Sequence, residues 1–209
     1  MPYDVPHPMT DVRLLTEKIG WVERTAHVDM ALYGTIRKRD AIAPLAAAGV
    51  SAFKLSTYEY DPVRFPRIDP STMVAALGEI AKTGLPVAIH NEKPGTDRGA
   101  GGRRAPQRKD GADRPLSNPP PLAETMADLE IFEIGLATGA HVHIAHSSLA
   151  RGFDIALNFR ALGATATGET CIQHLCMDET DYRASRWHRQ MQSTTPRPSR
   201  GRAAVAGAG

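Results

Sequence analysis

Three short apolar segments each carry one group able to bind a metal ion or move a proton. Lys54 lies in Ser51-Ala52-Phe53-Lys54-Leu55-Ser56-Thr57, and His90 ends the run in Val87-Ala88-Ile89-His90-Asn91-Glu92. His146 closes a third, Val142-His143-Ile144-Ala145-His146-Ser147-Ser148. Neutral imidazole suits zinc, and lysine is seldom buried without a partner. Each group also has a plainer reading, as a hydrogen-bonded rim histidine or a lysine that snorkels to water. Their arrangement favours the metal. A helical segment separates each pair of strands, and parallel strands bring their C-terminal ends to one crevice. A pair of divalent metals in such a crevice polarises a carbonyl and lowers the pKa of a bridging water to about neutrality. Hydrolysis is the chemistry to expect.

Other candidates fit less well. His141 and His143 share a strand face as alternate residues, but His146 lies an odd number of positions from both. An ideal strand therefore turns His146 to the opposite face. We take His146 as the ligand, with His141 and His143 as structural or rim residues. His174 follows Gly168-Glu169-Thr170-Cys171 in a loop, where substrate contact competes with a bland role. Cys171 and Cys176 are spaced too widely for Cys-x-x-Cys, which removes the zinc-finger reading. No Gly-x-Gly-x-x-Gly or Walker loop supports a doubly wound phosphate-binding protein.

The elements that must position these groups alternate along the chain. Hydrophobic spacing predicts a helix from Thr10 through Ile19, a buried strand over 27–36, a short helix over 42–48 and a strand over 52–57. Asp69-Pro70-Ser71 opens a helix that Gly84 and Pro86 end, and 87–90 is the next strand. An amphipathic helix covers 122–138, with Leu122, Met126, Leu129, Ile134 and Leu136 among its apolar positions. Strands over 141–146 and 164–168 flank a helix over 150–162. About five βα units argue an α/β protein with a parallel sheet. The strands' weak polar alternation predicts cover on both faces.

Residues 93–121 form an irregular, insert-like stretch, and 183–209 read as a disordered tail, leaving one domain over 1–182. Arg, Gly, Ala and Pro dominate 98–114 and 183–209, as out-of-frame translation of GC-rich DNA would. Resequencing the locus checks that origin. The net charge of +2 is too small to imply nucleic acid or an anionic membrane. No apolar run approaches the roughly 20 residues that cross a bilayer, and the N-terminus has no secretory layout. With only two cysteines, a soluble cytoplasmic protein is expected.

Taken together, Phe53-Lys54, Ile89-His90-Asn91-Glu92, Pro119-Pro120-Pro121-Leu122-Ala123-Glu124-Thr125, Ile144-Ala145-His146-Ser147-Ser148 and Gly168-Glu169-Thr170-Cys171 resemble the cyclic amidohydrolases. These include dihydroorotase, allantoinase and the hydantoinase/dihydropyrimidinase group. Even Met1-Pro2-Tyr3-Asp4-Val5-Pro6 looks like the family's loop after its second strand. The resemblance implies a (β/α)8 TIM barrel, here partial, with a binuclear centre of zinc or another divalent metal and a small cyclic-amide substrate. It implies that Lys54, as a carbamate, bridges the metals and that His90 and His146 bind the second one. Tyr58 falls where hydantoinase-like members place a tyrosine near the substrate's oxyanion. The family's first-strand His-x-His and eighth-strand general-base aspartate have no counterpart, so a truncated copy of low activity is expected. The alternative is a non-catalytic pseudoenzyme subunit assembled with an active homologue, and a homo-oligomer is compatible with either.

Overall fold

The computed structural model describes residues 8–59, 66–94 and 120–176. Within them, elements run α1 (Val12–Thr25), β1 (Tyr33–Thr35), α2 (Ile42–Ala47), β2 (Ala52–Ser56), α3 (Pro70–Thr83) and β3 (Val87–His90). There follow α4 (Pro121–Thr138), β4 (Val142–Ile144), α5 (Ala150–Ala161), β5 (Ala166–Gly168) and α6 (Ile172–Cys176). Local chemistry sets the helix ends. The Asp11 carboxylate accepts the Leu14 N–H at 2.8 Å and starts α1. At α3 the Asp69 carboxylate accepts the N–H groups of Ser71 and Thr72, each at 3.0 Å. The hydroxyls of Ser71 and Thr72 also donate to it and hold its carboxyl well below the usual range. Pro70 suits the first turn, and left-handed Gly84 ends the helix.

The five strands pair in parallel in the order β1-β2-β3-β4-β5. Every connection steps to the next strand in the same direction. Right-handed crossovers then place all the connecting helices on one face, the winding of a barrel wall. A doubly wound sheet reverses its strand order and covers both faces. The apolar core lies on the helix-covered face, and the opposite face of the central strands is also largely buried, with Thr35, Ser56, Ala88 and His90 at 5% exposure or less. Phe53, Leu55, Val87, Ile89, Val142 and Ile144 point into the apolar cluster shared with α3, α4 and α5. The alternate positions carry another chemistry: Thr35, Lys54, Ala88, His143 and Thr167 stand in register across the sheet. Polar alternation is therefore present, contrary to the sequence expectation. The short strands hide it, since three to five residues sample each face only one to three times.

Two other expectations change. Residues 27–30 are exposed, and the strand expected over 27–36 shrinks to Tyr33–Thr35. On α4 the expected apolar positions divide: Ile134 is buried and Leu136 packs against the core, while the other three face outward. Leu122, Met126 and Leu129 are exposed, while Ala123, Ala127, Ile131 and Phe132 are buried together with Glu124 and Asp128. The small residues let the helix approach the sheet: a Cβ on Gly135 would lie 2.6 Å from Val142 Cγ2. Phe132 meets Phe159 of α5 at a ring separation of 5.8 Å. Most of the irregular 93–121 stretch and the 183–209 tail lie outside the described residues. Among the described residues no helix is long and apolar enough to cross a membrane.

Candidate metal centre

The ends of β2 and β3 are tied together before any functional side chain enters. The Thr57 N–H donates to the His90 carbonyl at 3.0 Å. Its hydroxyl donates to the carbonyls of His90 and Glu92 at 3.1 Å and accepts the Glu92 N–H at 2.8 Å. Ser56 stands opposite His90, and Lys54 lies two residues back on the same face. The chain beyond β4 is anchored on both sides of His146. Ala145 N–H donates to the Ile89 carbonyl at 3.0 Å, and Ser147 N–H to the Glu169 carbonyl at 2.8 Å. Between these anchors His146 has φ +44°, the only positive φ among the described non-glycine residues. The strand has ended at Ile144, so strict alternation no longer governs where the ring goes. The left-handed turn brings His146 to His90. Nδ1 of His90 and Nε2 of His146 are 3.0 Å apart, with ring centroids at 4.6 Å.

Burial, then the neighbouring Lys54 charge, pushes His90 down to about 3. Burial, then His90 and Lys54, pushes His146 down to about 3 as well. Both rings are neutral at pH 7, which leaves lone pairs for a metal. Two imidazole nitrogens on one tetrahedral zinc stand about 3.3 Å apart, close to the spacing found here. Glu92 Oε2 lies 3.6 Å from His90 Nε2, the ring nitrogen that does not face His146. Among the described residues, His146 Nδ1 is buried with no hydrogen-bond partner. Burial also lowers Lys54 to about 8, against the opposing pull of Glu169 and Cys171. The donor set fits half of a two-metal site, two neutral imidazoles beside a partly neutral amine. Among the described residues no three His, Cys, Asp or Glu side chains form a group that could hold a metal ion.

The remaining candidates border the pair: the Lys54 charge reaches His143, and His174 lies near enough to help depress His146. His141 Nε2 and His143 Nδ1 each lie 2.9 Å from the Thr167 hydroxyl, and His143 Nε2 lies 3.8 Å from the Glu169 carboxylate. Those two histidines thus gather around Thr167 on the sheet face. Tyr58 is half-buried just after β2, where its N–H donates to Ser56 Oγ at 3.2 Å. His174 is buried in α6 and not in the expected loop. Burial pushes the Cys171 thiol up, so it stays protonated at neutral pH.

Behind the histidines lies a polar network that sequence reasoning missed. Glu124 on α4 accepts the Ser147 hydroxyl at 2.6 Å, the Ser148 N–H at 2.8 Å and the Ser148 hydroxyl at 2.6 Å. One turn on, Asp128 Oδ1 accepts Asn91 Nδ2 at 2.9 Å. A Cβ on Gly152 would lie 2.7 Å from Ser147 Oγ and 2.9 Å from Asp128 Oδ2, so the network leaves no room there. The available signal was two acids four apart on a helix between histidine strands. Charged residues are usually solvent-facing, so the spacing alone did not mark these two as buried.

Burial raises Asp128 to about 7, with the Asn91 bond opposing and Glu124 assisting. The unfolded carboxyl titrates near 3.8, so folding takes up a proton between these values. This contribution to stability is complete below 3.8 and is lost as pH rises through about 7. His90 and His146 run the other way: lowered from 6.5 to about 3, they release protons on folding and favour the native state as pH rises across that window. In metal-free protein, Asp128→Asn should therefore gain stability over wild type as pH rises from 4 to 7. The slope of that gain is at most about 1.4 kcal/mol per pH unit. Urea unfolding at several pH values checks it; a pH-independent difference between the two proteins would contradict the assignment.

No protein-family model matches the chain. Named relatives do. The chain is 31% identical over 183 residues to an allantoinase of Solibacter usitatus, covering 87% of this chain and 40% of that protein. It is 29% identical over 186 residues to a dihydroorotase of Lactiplantibacillus plantarum, covering 87% and 41%. The structure superposes on an L-hydantoinase (dihydropyrimidinase) from Arthrobacter aurescens with a TM-score of 0.74 and 23% identity, over 87% of this chain and 41% of the other. That likeness shows the fold, a partial TIM barrel. The chain thus spans about 40% of the length of the curated relatives it matches.

Proposed function

We propose that this chain, similar over 87% of its length to an allantoinase, is part of a cyclic amidohydrolase and carries half of the metal site of a hydrolase acting on cyclic amides. The observation that carries this reading is the pair of buried, neutral imidazole nitrogens facing each other at 3.0 Å beside Lys54. His90 and His146 would hold one divalent ion, in the first instance zinc. Bound there, zinc supplies Lewis-acid polarisation of a ring amide carbonyl and acidifies water. A proton on His90 Nε2, the nitrogen on the Glu92 side, would leave the Nδ1 lone pair for the ion. Lys54, lowered to about 8, is about one-tenth neutral amine at pH 7. That amine attacks carbon dioxide, forms a nitrogen–carbon bond and releases a proton, leaving an anionic carbamate. The change replaces a cation that depresses both imidazoles by an anion that supports metal binding.

Allantoin, dihydroorotate and hydantoin, the rings suggested by the relatives' names, share the hydrolysable amide. The test is to supply the purified protein with zinc and bicarbonate, then measure bound metal and ring opening of all three. Bound zinc with opening of any one of them is the expected result. A folded protein that takes up no zinc would remove the metal-centre reading and leave a non-catalytic role.

A further inference from the structure

We propose that Glu124 is the positioning residue that sets the His146 ligand, an inference resting on the metal-centre reading above. Its carboxylate is 4% exposed and accepts three hydrogen bonds, all from the two residues that follow His146. The three bonds fix both serine hydroxyls as donors and the Ser148 N–H with them. On the other side Ala145 is held by Ile89. His146 is thus clamped at both ends in a conformation L-residues avoid, and the clamp offsets the strain. That conformation aims its Nε2 at His90 Nδ1.

The same helix holds the other histidine. Asp128 binds Asn91, the neighbour of His90, so α4 grips both ligand loops from successive turns. Gly152 marks how tightly the grip is built, since any side chain there would strike Ser147 and Asp128. A carboxylate serving only to satisfy a helix terminus would have no reason to sit beneath the one left-handed non-glycine residue described.

The test compares Glu124→Ala, Glu124→Gln and Ser148→Ala with wild type. Folding is checked by circular dichroism, the imidazole pair by long-range proton–nitrogen NMR, and metal affinity by cobalt titration. Glu124→Ala should lose the NMR signature of the His90–His146 contact and bind cobalt about 10–100-fold more weakly. Glu124→Gln should restore most of both. Its amide oxygen accepts the Ser147 hydroxyl and the Ser148 N–H, while its NH2 donates to a rotated Ser148 hydroxyl. Ser148→Ala, which keeps the carboxylate, should fall between them and decides the matter if Glu124→Ala does not fold. Folded variants that keep both the imidazole signature and the wild-type affinity would overturn the proposal. A wild type that binds no cobalt, yet loses its imidazole contact in Glu124→Ala, would uphold the positioning role and remove the metal reading.

Discussion

A Lys54→Ala, His90→Ala double variant should bind zinc more than ~100-fold more weakly than wild type, a larger loss than an outer-shell change produces. The wild type purified with zinc and bicarbonate should carry the ion through dialysis, and the variant should emerge without it. Elemental analysis of the two proteins side by side measures the difference. The loss should not come from unfolding. Burial disfavours the Lys54 charge, so the metal-free protein gains when that charge is removed. Wild-type uptake should also rise with bicarbonate, and uptake by the single Lys54→Ala variant should not respond. Equal zinc in wild type and double variant would exclude these residues as ligands.

Phe53→Ala should be the most damaging single truncation in the core, at about 3–5 kcal/mol. Phe53 is fully buried in β2, between the strands that carry the polar row and His90. Its ring fills the space opposite Gly34, where a Cβ would already lie 3.2 Å from two ring carbons. Little around it can move in to close the cavity. Domains of this kind are stable by only about 5–15 kcal/mol, so this loss takes a large share of the total. Denaturant midpoints of the two proteins measure it. A loss below about 1 kcal/mol would mean that β2 is not packed as described. Because Phe53 adjoins Lys54, the variant should also loosen the site.

The parts of the fold legible in the sequence were those written in local chemistry. Asp69-Pro70 and Gly84 bound α3 as their capping and turn preferences require, and 87–90 is the strand the apolar run indicated. The strand order was less accessible, because nothing local says which strands pair. His146 shows the limit at the site. Alternation along an ideal strand argues that it cannot share a face with its histidine neighbours. The strand stops at Ile144, and a backbone conformation stabilised by Glu124 decides where the ring goes. Glu124 and Asp128 were illegible for the same reason: their burial depends on donors 23 and 37 positions away. The exposed Leu122, Met126 and Leu129 drew attention to the opposite face of that helix.

The separation of the two histidines also has a kinetic meaning. They stand 56 positions apart, and α4 occupies much of the chain between them. No local turn can bring the rings together, and the entropy of closing so long a loop must be met by other contacts first. Docking of α4 against both loops supplies such contacts. If the pair forms late for that reason, an ion bound there on the reading proposed above would act on the rate of escape from the native state more than on the rate of reaching it.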